Sequence, residues 1–106
     1  MALTIDLKNR VPLEQQPNQS LTIRLDDSRY TITIKTLTTE LMAISIARDD
    51  VLLVQNQRAM PGSLLLPNHM ASRYGNFAFV TPNDEYPYYT SFGAGHELHY
   101  IPASEL

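Results

Sequence analysis

Apolar residues recur at every second position through much of the first half of the chain. In "SLTIRL" (20–25) Leu21, Ile23 and Leu25 fall on one side of an extended backbone, with Thr22 and Arg24 on the other. After Asp26-Asp27, "RYTITIKTL" resumes the pattern, with Tyr30, Ile32 and Ile34 inward and Thr31, Thr33 and Lys35 outward. Two alternating, β-branched segments around a pair of turn residues predict a hairpin. "ELMAISIAR" alternates again through Met42, Ile44 and Ile46; Asp49-Asp50 turns it, and the more apolar "VLLVQNQ" returns as a strand.

The middle of the chain loses this period. In "RAMPGSLLLPNHMASRYG" three leucines, Leu64 to Leu66, lie between Pro61 and Pro67, which leaves room for no more than a short helical turn. The segment reads as a covering loop whose leucines plug the end of the core. "NFAFVT" then gives a strand with Phe77 and Phe79 on one face, "PNDEYPYYTSFGAG" a long loop, and "HELHYIP" a closing strand. Six to eight short strands without an amphipathic helix predict an all-β fold, an antiparallel β-sandwich or a partly open β-barrel. Residues 15–106 form one domain in this reading, and residues 1–14 an N-terminal strand or arm.

Composition narrows the function classes. At 106 residues the chain supports one modest core. Its net charge of −3, with arginines scattered and only two lysines, does not describe a nucleic-acid-binding surface. The absence of cysteine excludes disulfides and thiolate metal sites. No apolar run approaches membrane-spanning length, and "MALTIDLKNRVPLEQQ" lacks the basic start and apolar stretch of a signal peptide. The expectation is a protein made in a cytoplasm and soluble there, in which the Asn18-Gln19-Ser20 sequon goes unused.

The chemically suggestive stretches are weak on inspection. His96-Glu97-Leu98-His99 lacks one residue of the helical His-Glu-x-x-His zinc motif, and in a strand positions 96 and 99 face opposite ways. Gly93-Ala94-Gly95 precedes a strand rather than a helix, and Glu97 nearby would repel a phosphate. The acidic pairs Asp26-Asp27, Asp49-Asp50 and Asp84-Glu85 all sit in turns, where such side chains cap backbone donors. Ser63 and Ser91 have no base at recognisable spacing. No catalytic set, metal site or cofactor is expected. "EYPYYTSF" is different: Tyr86, Tyr88, Tyr89 and Phe92 give a loop large contact area at low entropic cost. They are the expected partner interface, joined by Leu64 and Leu65.

The order of these features resembles a known family. Pro17-Asn18-Gln19 before a strand, Arg29-Tyr30, Leu64-Leu65, Gly75-Asn76-Phe77, Thr81-Pro82-Asn83-Asp84, Phe92-Gly93 and Tyr100-Ile101 follow the pattern of the baseplate plug proteins of contractile-tailed cyanophages. The resemblance covers about residues 15–103. Leu41-Met42 departs from it where relatives often carry Trp or Tyr, and Asp49-Asp50 where many have an Asp-Gly turn. It implies a non-enzymatic virion component of the tail baseplate, made in the bacterial host and bound near the central hub and tube. There it would help hold the pre-contraction assembly. The implied partners are other baseplate proteins (hub, tube or sheath initiator, wedge), with several copies under threefold or sixfold symmetry and neither nucleic acid nor membrane. Two other classes compete. One is a carbohydrate- or peptide-binding module using the Tyr86–Phe92 loop; the other is a small β-barrel or cupin-like metalloprotein using His69, His96 and His99.

Overall fold

The alternating segments form strands where their spacing places them. The computed structural model of the protein describes residues 10–25, 27–67 and 75–102. Within them lie seven strands: β1 (Arg10–Val11), β2 (Asn18–Leu25), β3 (Ser28–Thr36), β4 (Met42–Arg48), β5 (Val51–Arg58), β6 (Asn76–Val80) and β7 (Glu97–Ile101). They make a four-stranded sheet of order β2-β3-β4-β5 and a three-stranded sheet of order β1-β7-β6, every pairing antiparallel. The sheets do not close into a barrel, so the fold is a sandwich.

Both expected hairpins form. Leu25 pairs with Ser28 and Arg48 with Val51, leaving two-residue turns. Asp49 and Asp50 both take positive φ (49° and 70°), as the tight turn matching the strand twist requires. Tyr30, Ile32 and Ile34 of β3 and Met42, Ile44 and Ile46 of β4 are fully buried. They meet Phe77, Phe79, Leu98 and Tyr100 of the facing sheet. The Tyr30 ring packs edge-on against Phe77 at 5.1 Å between centroids, joining the two layers. On the outer face of the larger sheet, Ser20 and Thr33 hydroxyls pair at 3.1 Å.

β5 behaves differently from its apolar spelling. It is an edge strand, and Val51 and Leu52 are 62% and 53% exposed, while Leu53 and Val54 reach the core. Its register with β4 shifts twice. The covering segment also divides: Leu65 and Leu66 are buried, whereas Leu64 is 46% exposed. The Asn76 carboxamide pins it, accepting from Leu66 N at 2.8 Å and donating to Leu66 O at 2.9 Å. No helical turn forms between Pro61 and Pro67, where Pro61 and Leu64 instead bridge to β6; residues 68–74 of the segment lie outside the described residues.

Candidate interaction surface

The tyrosine loop leaves β6 at Val80 and is organised by two 3₁₀ turns, Pro82–Asp84 and Tyr89–Ser91. Asn83 and Asp84 take left-handed backbone (φ 54° and 56°), a region short polar side chains tolerate best. Thr81 Oγ1 donates to Glu85 O at 2.6 Å and closes the first turn. Gly93, at φ 78°, turns the chain after the second, and Gly93 N donates to His96 O at 3.1 Å.

His96 fastens the loop from within. Its ring is buried; Nδ1 accepts the Tyr88 backbone N–H at 3.0 Å, so Nε2 carries the hydrogen and donates to Glu85 Oε1 at 2.9 Å. Tyr88 OH reaches across to Thr38 O at 3.3 Å, tying the loop to the β3–β4 connection. Pro87 is fully buried. This loop is a fixed surface.

The six residues expected at an interface divide by depth. Phe92 is 2% exposed and stacks on Phe79 at 6.4 Å between centroids, with planes 10° apart. Leu65, also 2% exposed, lies in the core with its N–H bonded to Phe77 O at 2.9 Å. Both support the surface from below. Tyr88 and Tyr89 are half-buried against the core, their rings 4.9 Å apart and tilted by 39°. Tyr86, 48% exposed, and Leu64 present the most area to solvent. β6 unites the two segments, since Phe79 carries both the Phe92 ring and the Pro61 bridge, and Leu64 bridges Ala78.

Several of the polar candidates hold turns and loops. Asp49 Oδ1 accepts Arg29 N at 2.9 Å, and Asp50 pairs with the Arg29 guanidinium. Asp26 lies outside the described residues. His96 has both ring nitrogens engaged, and His99 is buried with Nε2 3.9 Å from Glu97 Oε2. No group of three or more acidic, histidine or cysteine side chains is placed to hold a metal among the described residues, and His69 lies outside them. No helix follows Gly93-Ala94-Gly95 among the described residues. Sequence reasoning missed the latching role of His96, which it read only as the first residue of the last strand. A histidine just after a Gly-x-Gly turn was the available signal.

Residues 9–103 match the protein family described as cyanophage baseplate Pam3 plug gp18. The chain belongs to this plug family. The match runs from just before β1 to just beyond β7, so it takes in both sheets, the covering segment and the tyrosine loop. The residues that carry the resemblance sit at structural joints. Pro17-Asn18-Gln19 enters β2, Gly75-Asn76-Phe77 opens β6, Phe92-Gly93 leaves the second 3₁₀ turn, and Tyr100-Ile101 ends β7. A comparison with curated proteins gives no match.

Proposed function

We propose that the protein is a structural component of a phage contractile-tail baseplate, seated near the central hub and tube, where it helps hold the pre-contraction assembly together. The match to the plug family across residues 9–103 carries this reading. The partners are other baseplate proteins (hub, tube or sheath initiator, wedge), with several copies per particle under threefold or sixfold symmetry. The role is architectural: Asp49, Asp50, Glu85 and His96, among the polar residues that suggested chemistry, hold turns and loops. In this reading residues 15–106 form the plug-like domain, and the first fourteen add a strand or arm that includes β1.

The surface supports docking on physical grounds. Tyr86 and Leu64 project from segments already fixed by hydrogen bonds and core contacts, so little conformational freedom is lost when a partner covers them. Tyr88 and Tyr89 are less clean probes, because replacing either removes packing against the core as well as surface. The test is therefore Tyr86→Ala with Leu64→Ser. The doubly substituted protein should fold as the parent does and fail to enter tails when it replaces the parent. Normal incorporation would remove these two side chains from the interface.

A further inference from the structure

A two-sheet sandwich has four edges, and each exposes unpaired backbone N–H and C=O groups unless something blocks it. Among the described residues, three are blocked. β1 runs from Arg10, the first described residue, directly into Pro12, which has no N–H to continue a ladder. β6 is covered by the segment from Pro61 to Leu65, with Gly62 N and Leu65 N donating to Phe79 O and Phe77 O at 2.9 Å. β5 carries two register shifts and a left-handed Asn56 (φ 52°) whose N–H is taken by Ser45 Oγ at 2.8 Å.

β2 has no such protection. Its eight residues pair with β3 in unbroken register, without proline, positive φ or an inward-facing charge. On its other side no strand lies among the described residues. Leu21 and Ile23 are only half-buried on its inner face, although their partners Ile32 and Tyr30 on β3 are fully buried. An added strand would satisfy the open backbone groups and cover both side chains.

We infer that this edge takes a second copy of the chain, β2 pairing antiparallel with its mate about a twofold axis to join the two larger sheets into one of eight strands. The β2 sequence is self-complementary in two registers, Ile23 opposite Ile23 over residues 21–25 or Thr22 opposite Thr22 over residues 19–25, and the longer ladder is the one inferred. With Thr22 opposite Thr22 of the second copy, Leu21 meets Ile23 on the inner face, twice over, and Arg24 meets Ser20 on the outer face. A shift of two residues, bringing Leu21 opposite Leu21, leaves Ile23 against Gln19 instead. A one-residue slip sets apolar against polar faces. Because β5 is blocked, the contact closes as a pair and does not continue into a filament.

The chain has no cysteine, which makes the register directly testable. Thr22 is exposed on the outer face, so Thr22→Cys leaves the fold intact. Under mild oxidation it should form a disulfide-linked dimer, while Lys35→Cys, exposed on the inner strand β3, should remain monomeric. Ser20→Cys mixed with Arg24→Cys should cross-link, although neither does so alone. The unsubstituted chain should sediment as a dimer at the upper end of a range from about 10 to about 500 μM, the affinity range of a contact smaller than a standard interface. A monomer throughout, with Thr22→Cys linking no faster than Lys35→Cys, overturns the inference. Linkage at Lys35→Cys alone overturns it too, by placing the contact elsewhere.

Discussion

The backbone N–H of Tyr88 donates to Nδ1 of His96 at 3.0 Å, so a buried histidine, eight residues on, fixes the shape of the tyrosine loop. Nε2 then donates to Glu85, and the same ring holds both ends of the segment from Glu85 to Tyr88. His96, the first histidine of "GHELH", is a loop latch.

Removing that latch should loosen the loop while leaving the sheets paired. His96→Ala strands the Tyr88 N–H and removes packing, a loss of about 1–3 kcal/mol in urea unfolding. Amide exchange at Tyr88 and its neighbours should accelerate well beyond that global change, and exchange in β3 should not. Equal acceleration in both would mean that the histidine supports the whole fold.

Gly75 answers to a different constraint. A Cβ built there would lie 2.3 Å from Cζ of Tyr100 and 2.4 Å from Ile101 O, and Gly75 N donates to Tyr100 OH at 3.1 Å. Gly75→Ala therefore overpacks a buried site and should cost about 3 kcal/mol or more. Gly93→Ala meets no atom within 4 Å and bears only the left-handed backbone penalty of about 1 kcal/mol. Chemical denaturation of the two variants should rank them in that order, and the reverse order would contradict the packing around Tyr100.

The β4–β5 turn is open to improvement. Asp50 sits at φ 70°, where glycine is unstrained, and its ion pair with Arg29 is largely solvent-exposed. Asp50→Gly exchanges a contact worth about 0–1 kcal/mol for relief of roughly 1 kcal/mol of backbone strain. A small rise in the urea midpoint is expected, and a fall would show that the ion pair dominates.

The sandwich was legible wherever alternation coincided with burial. Tyr30, Ile32 and Ile34, or Phe77 and Phe79, declare strand and inward face together, because a period of two in β-branched and aromatic residues fits one covered face of a sheet. Edge position was not legible. Val51 and Leu52 look like core and lie exposed, because β5 has a neighbour on one side only and bulges where Asn56 turns left-handed. Depth within a loop was equally hidden. Phe92 and Tyr86 are both aromatic residues of one segment, yet Phe92 turns inward onto Phe79 and Tyr86 does not. That choice depends on β6, which no local pattern in the loop encodes. The pairing of Arg10 with His99 joins residues from opposite ends of the chain, beyond any local signal.

The surface prediction separates exposed from supporting residues. Tyr86→Ala and Leu64→Ser should each change stability by less than about 0.5 kcal/mol, as exposed substitutions do. Phe92→Ala should cost about 3–5 kcal/mol through the cavity beside Phe79. Thermal unfolding of the three variants checks the division, and an unstable Tyr86→Ala would place that ring in the core.

The baseplate role is tested most directly by cryo-electron microscopy of contractile tails from the source of this chain. Density beside the central hub should accept a sandwich of four and three strands, with Tyr86 and Leu64 against a neighbouring protein. Well-resolved tails with no such density at the hub would contradict the role.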